Sequence, residues 1–473
     1  MCGHIPPCAR SRRGIGDRFR HAPSSIQKQE ALNVHRTVLA TADAMRALSD
    51  QPAAIGHYPW YVLGILTLAQ TCHGIDRAII GLVLAPVGHE FGLSDGQLGI
   101  LAGFAYGIFF ALAALPFGVA VDSWNRRNLM AAALTLWSGA TALCSLATGF
   151  WTLLIGRAAV GTAEAGGSPT GMSLLSDYFG EDRRATAIGI WYLSSGIGLA
   201  IAFIVGGAIV QSAGWRWAFV AAGVPGLVLA PLLLFTVREP VRGAHDGPAP
   251  QQEETLRLGQ RIRLLAARPG LLYCIFAIVL IAAGIYGMST WLTTFLIRVH
   301  GMPIAKAGIL IAIAYGGLGS LGGFLAGWVI DLVNRRRGGF DPARTSLFGA
   351  VIPLLTAVTG VGTVLFHDVD LMLALLMACG FLSASYNGPI YAVIVTIAGP
   401  RLRGLAVSLV QLGANLIGVG AGTYLIGAVS DFVGGTAGVA WGIGTAMLFT
   451  FAGGILLLLA ARAIRRAKAS GEA

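Results

Sequence analysis

Four ionisable residues interrupt apolar runs in the first part of the chain: Asp76 and Arg77 in QTCHGIDRAIIGLVLAPV (70–87), and Arg157 and Glu164 in LLIGRAAVGTAEAGGSP (153–169). An ionisable side chain at membrane depth costs from about 2.5 to more than 10 kcal/mol, so such residues pair and face an aqueous cavity. These four sum to zero charge. Arg157 and Glu164 are two helical turns apart and share a face, whereas the adjacent Asp76 and Arg77 point about 100° apart and can border one cavity from two sides. His73 lies one turn from both, at i+3 and i+4 spacing. A carboxylate in this setting can carry a proton. An arginine keeps its charge at any pH and can bind an anionic group or tune the carboxylate. Two alternatives stand beside this chemistry: an ionic network that only ties two helices together, and, for His73, a hydrogen-bonded packing role instead of a protonation site.

The second part of the chain offers neutral polar groups in equivalent apolar runs: Tyr286, Thr290, Tyr315, Tyr386, Asn387, Tyr391, Gln411 and Asn415. Each is a candidate substrate contact or interhelical glue. Gln411 and Asn415 are four apart and share a face. The expected cavity is asymmetric, ionic on one wall and aromatic-polar on the other, which suits an amphiphilic or aromatic solute carrying an acidic group.

A third set of residues comes in two copies. GVAVDSWNRR (118–127) and GWVIDLVNRR (327–336) share G-x-x-x-D-x-x-N-R-R, with Gly118, Asp122, Arg126 and Arg127 matching Gly327, Asp331, Arg335 and Arg336. Each aspartate falls at the C-terminal end of its helix, the wrong end for a carboxylate, so it calls for an arginine or the N-terminus of another helix. A solvated loop carrying basic residues is the plain alternative. The repetition favours a latch, with the carboxylates holding the cytoplasmic side shut in one conformation and the glycines letting a neighbouring helix approach.

The elements that must position these groups follow from composition. The 473 residues are 55% hydrophobic and 12% charged, with a mean hydropathy of +0.71, well away from soluble-domain averages. Runs long enough to cross a bilayer fall near 60–85, 97–120, 129–148, 151–175, 185–210, 217–237, 271–297, 307–330, 346–366, 371–397, 404–430 and 438–461. Helices are expected, because lipid offers the backbone no hydrogen-bonding partner and the runs lack the alternation of a barrel. The fold class is therefore an all-α membrane protein of twelve transmembrane helices in two pseudo-symmetric six-helix bundles. The decapeptide follows the second run of each half, as internal repetition requires.

The net charge of +11 reflects topology and not nucleic-acid binding. Of the 33 basic residues, eight lie in the N-terminal tail, twenty in every second connection and the C-terminal tail, and three in the other connections. The remaining two are Arg77 and Arg157. Positive-inside bias then puts both termini and the connection 238–270 in the cytoplasm of an inner-membrane protein. Expected domains are a disordered tail (1–57, with Met45 as a candidate start and a transit peptide as the rival reading), a first bundle (58–237), a cytoplasmic linker (238–270) with a surface helix over 253–267, a second bundle (271–461) and a cytoplasmic tail (462–473). The six cysteines show no C-x-x-C and no pairing pattern, so no metal site, disulfide framework or cofactor is expected.

Within this frame the motifs resemble the major facilitator superfamily: G-x-x-x-D-x-x-x-R-R after span 2, its second copy after span 8, and R-x-x-x-G at Arg157 and Gly161. The stretches 70–87, FGLSDGQLGILAGFAY (91–106), 153–169, SDYFGEDRRATAIGI (176–190), GWRWAFVAAGVPG (214–226) and FLIRVHGM (295–302) are similar to its spinster-like branch, over roughly 58–460. His73 stands where that branch often has Asn or Tyr, and the loop after span 8 carries Arg337 and an additional GGFDPAR. The resemblance implies roles in proton coupling and conformational change for Asp76, Arg77, Arg157 and Glu164. It implies a secondary active transporter, the expected partners being a small organic or lipid-like solute, a proton and membrane lipids, with the protein a monomer. An uncoupled facilitator and a nontransporting sensor of the same fold are the alternatives. An enzyme is not expected, since no H-E-x-x-H, Ser/His/Asp set or phosphate loop occurs.

Overall fold

The computed structural model describes residues 57–243 and 258–470. The chain divides into two units, Met1–Pro59 and Trp60–Ala473. Most of the first unit, including Met45 and the tail, lies outside the described residues, as does the first part of the linker's expected surface helix. All described secondary structure is helical.

Ten helical segments are long and apolar enough to cross a membrane. They match the expected spans 2, 3 and 5 to 12: α2 (95–123), α3 (Arg126–Leu146), α5 (Glu181–Ala213), α6 (Trp215–Thr236), α7 (Leu271–His300), α8 (Ile304–Arg336), α9 (Pro342–Leu365), α10 (Val369–Gly399), α11 (Leu402–Val433) and α12 (Gly438–Ala469). The other two expected spans are the ones that carry the deep charges. The first is α1 (Tyr58–Phe91), 34 residues long. The fourth, α4, is broken into Phe150–Glu164 and Gly167–Tyr178. Polar interruption in α1 and a break directly after Glu164 set these two apart from the uniformly apolar ten.

Helix boundaries follow local chemistry. Ser94 caps α2, its Oγ accepting the Gln97 N–H while the Gln97 side chain takes the Ser94 N–H, a reciprocal box. Asn125 caps α3 and Asp368 caps α10. Pro342 opens α9, where a missing N–H removes nothing. Within the described residues the linker helix covers Leu258–Ala266 of the expected 253–267; Leu265 is buried, and Arg261, Ile262, Arg263 and Leu264 are exposed.

The helices before the linker pack chiefly with one another, as do those after it, and among the described residues close helix packing between these halves includes α2 with α11, α5 with α8, and α1 with α7. The crossings depend on small residues. A Cβ on Gly99, Gly103 or Gly107, spaced one turn apart on α2, would lie 2.9, 2.5 or 2.7 Å from the backbone of Tyr424, Gly420 or Asn415 on α11. Gly196 of α5 meets Ser320 of α8 at 2.7 Å, and Gly81 of α1 meets the Thr290 carbonyl of α7 at 2.9 Å by the same measure. Toward the end of the molecule that carries the linker, this contact stops. Gly118, Gly189, Gly327 and Gly404 have nothing within 4 Å of such a position. Among the described residues, the close glycine contacts between the halves thus lie toward the distal end, and these four glycines at the linker end make none.

Three helices carry wider π-helical turns: Ile100–Phe104 in α2, Ala312–Leu318 in α8 and Ala414–Ala421 in α11. Two of them lie in the α2–α11 crossing, and Tyr315 and Asn415 stand within such turns. A π turn re-aims the residues around it, so these positions depart from simple 3.6-residue spacing.

Candidate functional site

Three of the four charges, Arg77, Arg157 and Glu164, converge on a residue that the composition of the runs does not single out. Tyr106 of α2, 1% exposed, donates its hydroxyl to Glu164 Oε2 at 2.7 Å. Its ring lies 5.3 Å from the Arg77 guanidinium and 5.6 Å from that of Arg157. One side chain therefore touches three of the four, through a hydrogen bond and two cation–π contacts. Its signal was present in FGLSDGQLGILAGFAY: a tyrosine within an apolar run needs a partner for its hydroxyl.

Glu164 and Asp76 are both fully buried. His73 Nε2 lies 3.2 Å from Glu164 Oε2 without hydrogen-bond geometry. On the other side of the ring, Gln70 Nε2 is 3.4 Å from His73 Nδ1 and also donates to Ser195 Oγ at 3.1 Å. Among the described residues, both oxygens of Asp76, Oε1 of Glu164, and Nε and Nη1 of Arg157 have no hydrogen-bond partner. The charges that act on Asp76 most are those of Glu164 and Arg157. The pairing expected among the four is thus indirect, routed through Tyr106 and His73 and leaving several polar atoms unfilled.

Asp76 and Arg77 do point apart. Asp76 is sealed inside the first half, while Arg77 is half-buried and faces the second. The Arg77 guanidinium lies 5.3 Å from the Tyr286 ring, and its Nη2 donates to Asn415 Oδ1 at 3.3 Å. The Asn415 amide in turn donates to the Gln411 carbonyl at 2.9 Å, so its orientation is set by its own helix.

Of the eight neutral candidates, Tyr286 and Asn415 reach the charged wall directly. Tyr386 is buried, with Tyr286 and Tyr391 as its electrostatic neighbours. Tyr391 also neighbours Tyr192 of the first half. Thr290 donates to the carbonyl of Tyr286 in its own helix, and Tyr315 contacts Cys379 at 3.9 Å. Asn387 is half-buried and the Gln411 side chain is exposed. A cavity of ≈ 590 Å³ at the distal end is lined by Pro86, His89, Leu93, Val210, Ile297 and Arg298, and by none of the deep charges.

The paired decapeptides lie at the linker end. Asp122 and Asp331 are both exposed, and among the described residues neither has a hydrogen bond or ion pair. Arg126, 2% exposed, is gripped within the first half: it pairs with Asp177, bonds Glu239 Oε1 at 2.8 Å and Ser173 Oγ at 2.9 Å, and reaches the Pro240 carbonyl at 3.0 Å. The Arg127 N–H donates to Glu239 Oε2 at 2.8 Å. Arg335 and Arg336 are exposed.

Sequence and structure comparisons agree with this architecture. The family model of the Major Facilitator Superfamily matches residues 66–352. An MFS-type efflux pump of Mycolicibacterium smegmatis is 28% identical over 434 residues, covering 89% of this chain and 98% of the pump. The sphingosine-1-phosphate transporter SPNS2 of Danio rerio is 26% identical, covering 79% of this chain and 76% of its own. A solved bacterial homologue of the human lysosomal transporter spinster, described as inward-facing and unoccupied, superposes with a TM-score of 0.77 at 26% identity, covering 87% of this chain and 98% of its own. The chain is a multi-pass membrane protein that belongs to the Major Facilitator Superfamily, in its spinster-like branch.

Proposed function

We propose that this chain is a secondary active transporter that moves a small organic or amphiphilic solute by alternating access, coupled to protons through Asp76 and Glu164. The observation that carries the reading is the division of labour at the site. Two fully buried carboxylates with unfilled hydrogen-bonding positions sit inside the first half, and the neighbouring Arg77 faces Tyr286 and Asn415 of the second. A proton arriving at Glu164 changes what Tyr106 and His73 can bond. Because Tyr106 also lies against Arg77, that change reaches the group that faces the solute.

In this reading α1 and α4 also span, giving twelve helices in the inner membrane, and 58–237 and 271–461 are the two moving bodies of a monomer. The linker and both termini are cytoplasmic, which makes the linker end of this structure the cytoplasmic one. Arg77 binds an acidic group and the tyrosines contact an apolar or aromatic body. Relatives named as an efflux pump and a sphingosine-1-phosphate transporter support a solute of that kind. Asp122 and Asp331 latch the cytoplasmic end when it closes.

Reconstitution into liposomes tests the coupling. Flux of a solute found by thermal-shift screening of organic acids, aromatic acids and lysolipids rises with an imposed pH gradient, and Glu164→Gln abolishes the gradient dependence while keeping ligand binding. Flux indifferent to the gradient in both proteins would defeat the proton reading.

A further inference from the structure

We propose that Asp95, Arg298, Ser430 and Asp431 form the gate at the distal end, assembled so that a carboxylate of each half is satisfied only by the other half. Asp95 begins α2 and is buried. Arg298 Nη1, from the end of α7, donates to its two oxygens at 2.8 and 2.7 Å, and the Ser430 hydroxyl of α11 donates to Oδ2 at 2.6 Å. Both partners belong to the second half. The reverse contact is equally complete: the Asp431 carboxylate accepts the N–H of Asp95 at 2.8 Å and of Gly96 at 2.7 Å.

The accounting at the start of α2 shows why this is more than a surface ion pair. A helix leaves its first N–H groups without intrahelical partners. The box formed by Ser94 and Gln97 satisfies its own two. The two between them, on Asp95 and Gly96, are left to α11. Asp431 also places negative charge at the positive end of the α2 dipole. Glycine brings the helices close enough: a Cβ on Gly427 would collide with the Asp95 carbonyl, and one on Gly99 would lie 2.9 Å from Tyr424 Cα.

The contact is built to part. Asp431 is exposed and the Arg298 side chain is 31% accessible, so water can replace each bond when the halves separate. The same two helices carry the mirror-image provision at the linker end, where Asp122 ends α2 and the N-terminus of α11 lies after Gly399, the break that precedes it. Asp431 caps α2 while Asp122 is unbonded. Rocking of the halves exchanges one cap for the other. This gate rests on the alternating-access reading only in having a second state to exchange with.

Hydrogen–deuterium exchange of the full chain in lipid nanodiscs tests it, with Asp95→Asn, Arg298→Gln and the double variant. In each single variant, peptides covering 95–107 and 420–430 should exchange about tenfold faster, while those covering 118–127 and 402–411 slow. The double variant should add little, because both changes remove one contact. Faster exchange in all four regions would mean loosening of the fold and would overturn the gate, as would no change in any. Solute flux is measured separately in liposomes. Reciprocal exchange in a protein that carries no solute upholds the gate and sinks transport; intact flux with unaltered exchange does the opposite.

Discussion

The two decapeptides share one pattern, G-x-x-x-D-x-x-N-R-R, and lead different lives. In the first, α2 ends at Ser123, the backbone turns extended at Trp124, and Asn125 becomes the N-cap of α3. In the second, α8 runs on to Arg336, so the matching Asn334 lies inside the helix, 5% exposed, bonded to Thr345 at 3.3 Å and Arg344 at 3.0 Å. Arg126 is buried on Asp177 and Glu239, while its counterpart Arg335 is exposed. The turn accounts for part of this: Gly338 and Gly339, both with positive φ, give the second copy a longer loop. Partners account for the rest. Repetition marks equivalent places in two halves, but the acids within reach decide what an arginine does there.

The largest expected effect comes from removing the buried arginine. Arg126→Ala leaves Asp177, itself buried, without its partner, a loss of about 3–5 kcal/mol for a buried pair. Arg335→Ala should change stability by less than about 0.5 kcal/mol. Thermal midpoints of the two variants in one detergent check the contrast, and equal midpoints would erase it.

A middle-sized effect is expected at the asparagines. Asn334→Ala leaves buried polar groups on α9 unmatched and should cost about 1–3 kcal/mol. Asn125→Ala removes a cap worth about 1 kcal/mol. Chemical denaturation of the purified variants ranks the pair, and the reverse order would show that the cap matters more than the buried network.

The smallest stability effect should be at the aspartates. Both are exposed here, so Asp122→Asn and Asp331→Asn should each leave the midpoint within about 0.5 kcal/mol. Their influence should appear in kinetics instead, as an altered transport rate and a larger share of molecules open at the linker end. Unchanged rates and populations in both variants would remove the latch and leave the decapeptides as topology alone.

Much of the fold was legible because its signals are local. Hydropathy marked all the helical runs, and capping residues such as Asn125 and Asp368 set their starts. The opposed directions of Asp76 and Arg77 followed from the rotation per residue. The ionic wall and the aromatic wall were also visible as residue types in separate halves. Tyr106 was not, because nothing in its own run says that two arginines and a glutamate from other helices will surround it. Nor was the distal contact: Asp95 and Arg298 lie outside the expected spans, and they are brought together over 203 positions of sequence. The three π turns left no mark in the pattern.

Sequence by itself determined which segments are apolar enough for a bilayer, that four charges interrupt apolar runs of the first half, and that one motif recurs in two halves. These depend on side-chain chemistry and on a helical geometry fixed by the backbone. The tertiary structure decided who partners whom: Tyr106 as the hub of three of the charges, Arg126 as a clamp where Arg335 is free of one, and the distal end as the place of close glycine contacts between the halves. Hydrogen bonds and close helix packing act only over a few ångströms, so their partners are chosen by how the helices stack and not by their order along the chain.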